Sequence, residues 1–431
     1  MHVYRTIEAN LDCTIRSPRR NRAELAQYVH RPVFRHALYR GTDPNDRPFS
    51  TNLASLQFIA NNLNIEEDPF IIELRRDLAR MSPGSPEYFR RDQSLSKAIA
   101  TQGTFTHRGV RDLVRSASEI LECVGAWAAD WYIDKVIERT KDAANPYKNI
   151  MRSWRMSEKV YLLSVLEKVT VSGVSYHEDD LECSDKVRAL VDVLLVEKAE
   201  VEARNDRWSC IIFVQRRDVV LALAEILRHH PSTKKVLKIG TLLGTSDSSY
   251  RHSVMDITKT LGTESQGDTL AQFKIGEKNL LISTAVAEEG IDIQGCGSVV
   301  RWDLPQNMAS WAQSRGRARK ERSTFTLLFQ EGNLAERDAV SEWMAREQQM
   351  VDMYNDPSRD LGLGADALGL DWDDDMDTEE EDLAFTVSST GYAFGICGCI
   401  VLITNAVLSS PSHPLFLIYR TFVLSSPTPT T

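Results

Sequence analysis

The sequence predicts an α/β protein in which a parallel sheet, covered by helices on both faces, follows an all-helical block. From about residue 185 to 345, short apolar runs such as Cys210–Val214, Leu280–Ile282 and Phe325–Phe329 alternate with amphipathic stretches. Between about 45 and 165, apolar residues recur instead at helical spacing. Apolar runs separated by helices are typical of parallel strands buried on both faces. We therefore expect a doubly wound domain after an all-α one.

The helical block shows clear start and packing signals. Asp68 and Pro69 are suited to the N-cap and first position of a helix, and apolar residues then recur from Phe70 at helical spacing. A second amphipathic helix passes through Val110 and continues into the run GAWAADWYI at 125–133. We interpret the aromatic residues of that run as helix–helix core.

Charge is concentrated in one part of this 431-residue chain. The formal net charge of −10 counts against nucleic-acid binding, but residues 371–382 (DWDDDMDTEEED) hold nine acidic side chains and no basic one. Without this run the chain is close to neutral. Local basic patches are therefore a better guide to partners than the overall charge.

Cysteine usage and the terminal segments bear on the cellular compartment. The seven cysteines form no CxxC pair, which predicts reduced thiols in an intracellular protein, cytoplasmic or nuclear, and no metal site. The first 30 residues contain no apolar secretory signal. Residues 391–408 are uncharged over 18 positions, the length of a membrane span. Small-residue and glycine interruptions and a lone basic flank, Arg420, favour a divergent tail, such as translated intron sequence, over a membrane anchor.

Polar side chains follow two of the predicted strands. Gln215 comes after the first strand, and Ser283 and Thr284 end the strand that contains Leu280–Ile282. Such folds bind ligands at the carboxyl edge of the sheet, where hydroxyls and a helix N-terminus suit a phosphate oxygen. Taken alone, a Ser-Thr pair after a strand is most often a helix N-cap.

A basic run follows further along the chain. Five basic residues fall within 315–322, and a solvated basic face is the ordinary interpretation. Gly316, however, would cost about 1 kcal/mol inside the predicted helix Ala309–Arg319, which suggests that another surface approaches it closely. Arg317 and Arg319 could then direct planar guanidinium groups toward a phosphoryl group.

Three stretches together resemble a known family. IIFVQRR (211–217), NLLISTAVAEEGIDI (279–293) and QSRGRAR (313–319) resemble motifs IV, V and VI of superfamily-two helicases, the last in the form found in Dicers and innate-immune RNA sensors. The helical block resembles the helical insertion of those proteins, and the 125–133 run is similar to fungal Dicer-like proteins of the second type. FTVSSTG (385–391) resembles the opening of the Dicer dimerisation domain.

The resemblance covers about residues 5 to 392 and implies a domain order. Residues 1–44 would be a linker after a first helicase lobe, and 45–165 the helical insertion. Residues 166–331 would form the RecA-like helicase C-terminal lobe, and 332–382 a helix and acidic linker. Residues 383–431 would begin the dimerisation domain, a double-stranded-RNA-binding-like fold, and continue as a disordered or irregular apolar tail.

The resemblance also implies a partner. Gln215, Ser283 and Thr284 would contact the backbone of double-stranded RNA, within an ATP-dependent RNA-silencing enzyme that processes such RNA to small RNAs and serves in antiviral defence. Two alternatives stay open. One is a double-stranded-RNA-binding module without catalysis, and the other is part of a DNA-repair translocase of the same superfamily.

A nucleotide site is implied as well. Gly290, Asp292 and Gln313 would couple RNA binding to the nucleotide state, and Arg317 and Arg319 would be arginine fingers on the γ-phosphate of ATP, with Mg²⁺. The sequence has no GxxxxGK[ST] loop, no acidic helicase box and no ribonuclease III carboxylate cluster. We therefore expect this chain alone to bind no ATP or Mg²⁺, to hydrolyse no ATP and to cleave no RNA.

These assignments lead to one geometric prediction. Thr284, Asp292, Arg317 and Arg319 should gather around a single crevice at the carboxyl edge of the sheet, facing a neighbouring lobe that the sequence does not contain.

Overall fold

The structure, a computed structural model, describes residues 30–43, 48–145, 151, 154–177, 181–244, 261, 265–284 and 295–355, with backbone alone at 350–355 and in four short strands outside these ranges. In chain order the strands are β1 Thr14–Ile15, β2 Val33–Tyr39, β3 Cys210–Phe213, β4 Ile239–Leu242, β5 Leu280–Ser283, β6 Ser298–Arg301, β7 Thr324–Gln330, β8 Gly391–Ile396, β9 Cys399–Thr404 and β10 Leu424–Ser425. The α-helices are α1 Thr51–Asn61, α2 Pro69–Arg80, α3 Pro86–Thr101, α4 Phe105–Cys123, α5 Ala126–Ala143, α6 Met156–Leu166, α7 Asp185–Glu202, α8 Arg217–His229, α9 Gln266–Ile275, α10 Met308–Arg315 and α11 Leu334–Asn355.

The first six helices confirm the predicted helical block. Asp68 is the N-cap of α2 and accepts a hydrogen bond from the Phe70 backbone nitrogen at 2.9 Å, with Pro69 at the first position. The aromatic residues of α5 are buried core, as predicted, because Trp131 and Tyr132 pack within the cluster formed with α4 and α8. Trp127 is also buried, and its Nε1 donates to the Ser175 carbonyl oxygen at 2.6 Å.

A glycine joins the helical block to the domain that follows it. Gly125 is the N-cap of α5 and has φ of 130°, a value that L side chains rarely adopt. The backbone of residues 182–184 lies directly against it. Ser184, the N-cap of α7, donates from its backbone nitrogen to the Val124 carbonyl at 2.8 Å and from its hydroxyl to the Cys123 carbonyl at 2.7 Å. The close approach of two backbones explains the glycine.

The second domain is the predicted parallel α/β sheet. Six strands lie in the order β2-β7-β6-β3-β5-β4, and every neighbouring pair is parallel. The four inner strands are almost fully buried, which fits their largely apolar sequences. Inside this layer, Glu197 of α7 is 2% exposed and accepts a hydrogen bond from the Thr326 hydroxyl at 2.7 Å. Burial raises the pKa of this carboxyl.

The sheet includes a strand that the sequence prediction placed in a linker. β2 falls within the 1–44 segment, yet it pairs with β7 from Val33 to Tyr39. Its side chains alternate between partly buried and exposed, as expected of an edge strand. Arg35 also forms an ion pair with Glu200 of α7 at 2.9 Å. The absence of a continuous apolar run concealed this strand.

The helical block and the sheet domain share one core. Residues from α1, α4 and α5 pack in the same buried cluster as residues from α7, α8 and the sheet. Arg216, before α8, donates to the Ser116 hydroxyl of α4 at 3.0 Å and pairs with Asp218, whose side chain is fully buried. The two predicted domains are therefore joined by shared packing.

The tail is described only in part. β8 and β9, within the apolar run 391–408, pair antiparallel, and β1 pairs with β10. The rest of the predicted dimerisation opening and the acidic linker lie outside the described residues. Among the helices that are described, none is long and apolar enough to cross a bilayer.

Candidate functional sites at two edges of the sheet

The predicted RNA-contacting residues lie together at the carboxyl edge of the sheet. Phe213 and Ser283 are register partners at the ends of β3 and β5, so Gln215 and Thr284 follow adjacent strands. The Gln215 backbone nitrogen donates to the Asp303 carboxylate at 2.7 Å. Gln215 is exposed, and its side-chain nitrogen donates to a backbone carbonyl at 3.0 Å. Gln215 is therefore the accessible member of this group.

The two hydroxyls are more deeply placed. Ser283 is fully buried, and its hydroxyl lies 3.2 Å from the Leu242 carbonyl and 2.9 Å from that of Thr284. Thr284 is 7% exposed, and its hydroxyl oxygen accepts from the Gly244 backbone nitrogen at 3.3 Å. In this conformation both hydroxyls form hydrogen bonds with backbone atoms at this edge.

The residues proposed to couple RNA and nucleotide are described only in part. Gln313 is buried on α10. Gly290 and Asp292 lie outside the described residues.

Arg317 and Arg319 lie at the opposite edge of the sheet, the amino edge, which is the edge where the parallel strands begin. The Cys296 backbone nitrogen donates to the Arg317 carbonyl at 3.0 Å, and Cys296 forms an isolated parallel bridge with Ala318 just before β6 begins. Arg319 is exposed, and its Nε donates to the Gly316 carbonyl at 2.9 Å. The helix that was predicted to reach Arg319 ends at Arg315, and Gly316 is its C-cap with an ordinary φ of −64°. The prediction of a glycine inside the helix was wrong.

The predicted single crevice is therefore also wrong for the residues that can be placed. In the strand register, Ser283 at the end of β5 and Arg301 at the end of β6 are both level with Phe213. Cys296, which contacts the arginine segment, lies five residues before Arg301 in the chain. At about 3.3 Å per residue, Thr284 and the two arginines are separated by roughly 20 Å along the strand direction. The reason is connectivity, because a helix between parallel strands must return the chain from the carboxyl to the amino edge. α10 makes that return, so its last turn and the arginines after it end at the amino edge.

A small cationic pocket lies beside these arginines. It encloses about 180 Å³ and is lined by Arg207, Ser209, Phe273, Gly295 and Lys320. The Arg207 guanidinium donates to the Phe273 carbonyl at 2.9 Å, and Lys320 Nζ donates to the Arg207 carbonyl at 3.0 Å. Burial lowers the pKa of Lys320. The sequence prediction missed this pocket, since its residues come from three separate loops and from helix α9.

One glycine makes room for the pocket wall. Gly276 ends α9 with φ of 89°, and a Cβ there would lie within 2.5 Å of three atoms of the Arg207 guanidinium. The only sequence signal was this glycine at a helix C-terminus, which is a common C-cap on its own.

The amino edge has the donors for a phosphate group. Guanidinium groups match phosphate oxygens with paired donors. Among the residues that the structure describes, no group of three or more His, Cys, Asp or Glu side chains could hold a metal ion. Within this part of the chain, the arginines of the amino edge have the donors that a phosphate group of ATP requires.

Comparison with known proteins identifies the family to which this domain belongs. The helicase conserved C-terminal domain family matches residues 185–321, the stretch that contains Gln215, Thr284, Arg317 and Arg319. Dicer-like protein 2 of Aspergillus fumigatus is 34% identical over 360 residues, which are 82% of this chain and 24% of that protein. Its counterpart in Neosartorya fischeri is 35% identical over 83% of this chain and 24% of that protein. This chain contains the helicase C-terminal domain of the fungal Dicer-like proteins.

The match extends beyond the helicase domain. Dicer-like protein 2 of Aspergillus terreus aligns over 89% of this chain at 31% identity, so the similarity also spans most of the helical block. The chain corresponds to about a quarter of the length of these Dicer-like relatives. Among solved structures, the Pyrococcus furiosus Hef helicase domain aligns with 74% of this chain and 59% of that chain at 19% identity, with a TM-score of 0.32, too low to establish a shared overall fold.

Proposed function

We propose that this chain is the RNA-binding helicase portion of an intracellular Dicer-like enzyme of RNA silencing. The observation that supports this most strongly is the identity of 34% to a Dicer-like protein over 82% of the chain. The relatives are about four times as long, so RNA processing, antiviral defence and ATP use are proposed for the whole protein.

In this proposal, RNA binding and nucleotide binding belong to different edges of the sheet. The carboxyl edge would contact the backbone of double-stranded RNA through Gln215 and Thr284, with Ser283 holding the β5 terminus in place. The amino edge would present Arg317 and Arg319 to the terminal phosphate of a nucleotide held by another lobe. When bound, ATP would supply the phosphoryl group whose negative charge these side chains stabilise. Gln313, on the helix α10 that connects the two edges, would couple RNA binding to the nucleotide state, together with Gly290 and Asp292.

The RNA proposal is tested by equilibrium binding of the purified chain to a double-stranded RNA and to a DNA duplex of equal sequence and length. We expect tighter binding to RNA, and an affinity that falls as salt rises, because phosphate contacts release counterions. Gln215→Ala should weaken RNA binding about fivefold, the equivalent of one hydrogen bond of about 1 kcal/mol. Gln272→Ala, at the amino end of the sheet, is the matched control and should leave affinity unchanged.

Equal affinity for both duplexes would refute the RNA assignment and favour the DNA-translocase alternative. Equal effects of the two glutamine substitutions would refute the carboxyl edge as the RNA surface.

The nucleotide proposal makes a separate prediction. Because no phosphate-binding loop occurs in the sequence, the purified chain should show no ATP turnover above the buffer background. Turnover that Arg317→Ala abolishes and Arg322→Ala preserves would contradict the proposed need for a second lobe.

A further inference from the structure

Lys186 is a mostly buried lysine at a position that its own helix does not favour. It is the second residue of α7, and its side chain is 12% exposed. Lysine is rarely buried unless it is paired. A cation in the first turn of a helix also lies at the positive end of the helix dipole, which opposes it. The contacts that hold Lys186 in place must therefore come from elsewhere in the fold.

Those contacts come from the carboxyl edge of the sheet. Lys186 Nζ lies 4.5 Å from the centre of the Trp302 ring and 5.2 Å from that of Tyr39, within the range of a cation–π interaction. It also forms an ion pair with the Asp303 carboxylate, 3.7 Å from Oδ1. Burial raises the pKa of Tyr39 to about 12, so its phenol is neutral at neutral pH and Asp303 supplies the negative charge.

The Asp303 carboxylate has one oxygen toward Lys186 and the other toward Gln215. Its Oδ2 accepts the hydrogen bond from the Gln215 backbone nitrogen at 2.7 Å. The Gln215 side chain donates to the carbonyl of Leu304, the next residue after Asp303, at 3.0 Å. Attraction between the ammonium group and one oxygen favours this orientation of the carboxylate. Gln215 is thus held, through its backbone and its side chain, by a segment that pairs with Lys186.

The start of α7, which carries Lys186, is itself fixed to the helical block. Ser184 caps α7, and its backbone nitrogen and hydroxyl both donate to carbonyls at the end of α4. Directly after Gln215, Arg216 donates to the Ser116 hydroxyl of α4 at 3.0 Å. The loop that carries Gln215 is therefore connected to the helical block by two routes, one of which passes through Lys186.

We propose that Lys186 is a positioning residue for RNA binding, which acts through Asp303 to hold the Gln215 loop in the conformation that contacts RNA. This inference rests on the proposed function, because that function assigns the RNA contact to Gln215. The charge of Lys186 lies against two aromatic rings and a carboxylate, and its side chain is mostly buried. Removal of the lysine should therefore lower RNA affinity without removing a phosphate contact.

The ordinary alternative is that Lys186 only stabilises the fold, and Lys198 provides the matched control for it. Lys198 lies on the same helix, is 16% exposed and pairs with Glu202 in the last turn of α7. It is 12 residues beyond Lys186, about 18 Å along the helix. Lys198→Met therefore removes an equal charge, with similar burial, at a distance from the carboxyl edge.

Hydrogen–deuterium exchange at the Gln215 amide, measured by mass spectrometry with residue-level fragmentation, tests the positioning without RNA. Lys186→Met removes the charge and keeps a long apolar side chain. We expect the Gln215 amide to exchange about fivefold faster, the change that the loss of one ordinary hydrogen bond produces. Lys198→Met should leave this amide unchanged. Circular dichroism checks that both variants retain the fold.

Equilibrium binding of the purified chain to double-stranded RNA gives the second readout. Lys186→Met should weaken binding about threefold to fivefold, because a residue that acts only through Gln215 costs no more than Gln215→Ala. In a chain that already carries Gln215→Ala, Lys186→Met should cause no further loss. The dependence of affinity on salt should not change, since no phosphate contact is removed. Lys198→Met should leave affinity unchanged in both backgrounds.

Each contrary result has a separate meaning. Equal exchange of the Gln215 amide in the parent chain and in Lys186→Met would overturn the positioning role. A loss of affinity that persists in full in the Gln215→Ala chain, or that Lys198→Met reproduces, would overturn it as well. A salt slope that falls by about one would identify Lys186 as a direct phosphate contact.

Failure of the proposed function would look different. If Gln215→Ala leaves RNA affinity unchanged, the carboxyl edge is not the RNA surface and the RNA role of Lys186 falls with it. If Gln215→Ala weakens binding and Lys186→Met does not, the proposed function stands and the inference about Lys186 is wrong.

Discussion

Replacing Gly125 by alanine should destabilise the junction between the helical block and the sheet domain. An alanine Cβ at this position would lie 2.7 Å from the Glu182 carbonyl oxygen and 2.9 Å from the Cys183 Cα. Both atoms belong to the backbone, so neither can rotate away. The overlap should cost about 1–3 kcal/mol in displaced chain. The φ of 130° adds about 1 kcal/mol for a residue with a side chain.

Alanine substitutions at two other glycines separate the cost of backbone strain from the cost of steric overlap. Gly84 has φ of 90° and nothing within 4 Å of the added Cβ, so Gly84→Ala isolates the backbone strain. Gly173 has open space around it and no such φ, so Gly173→Ala reports the loss of unfolded-chain entropy alone. We expect Gly173→Ala to be neutral or slightly stabilising, Gly84→Ala to lose about 1 kcal/mol, and Gly125→Ala to lose about 2–4 kcal/mol.

Thermal and urea unfolding of the three variants measure these differences. For a chain of this size about 1 kcal/mol shifts the Tm by about 1–2 °C, so Gly125→Ala should unfold about 2–8 °C below the parent chain. If Gly125→Ala unfolds together with Gly84→Ala, the contact with the 182–184 backbone has no energetic weight and the reasoning fails.

Three further predictions rest on single buried groups. Trp127→Phe should lose about 1 kcal/mol more stability than Trp154→Phe, since the Trp127 Nε1 has a hydrogen-bond acceptor and the Trp154 Nε1 has none; equal urea midpoints would contradict this. Burial raises the pKa of Glu197, so the folded chain holds that proton more tightly than the unfolded chain and stability falls as pH rises through the raised folded value. Glu197→Gln should therefore be the more stable form at about pH 8, with the Tm difference closing toward about pH 4; a constant difference would contradict it. Burial raises the pKa of Cys296 to about 12 and that of Cys210 well above its ordinary value, so mass spectrometry should find both unalkylated by iodoacetamide in native chain and modified in urea.

The sequence was sufficient for the parts of the fold that depend on local periodicity. Uninterrupted apolar runs identified the inner strands, because strands buried on both faces leave no polar positions. The Asp68–Pro69 start and the aromatic face of α5 were predicted for the same reason, since capping and helical spacing are local properties. β2 was not predicted, because an edge strand is half exposed and its partner β7 lies nearly 300 residues away.

For the candidate sites too, the local sequence predicted some features and only the tertiary structure showed the others. The residue types at 215, 283–284 and 313–319, in that order and spacing, were enough to indicate a helicase motor domain, and the family match to 185–321 bears out that assignment. The position of these residues in the fold could not be predicted from the local sequence. Whether Arg317 lies at the carboxyl or the amino edge depends on the length of α10, which precedes it. Only the tertiary structure shows that Thr284 and Arg317 lie at opposite edges of one sheet, and that basic loops distant in sequence meet at the amino edge. Because neighbouring strands of a parallel sheet begin at the same edge, the loops that precede them lie side by side. This arrangement depends on the pairing of distant strands and cannot be predicted from any one segment of the sequence.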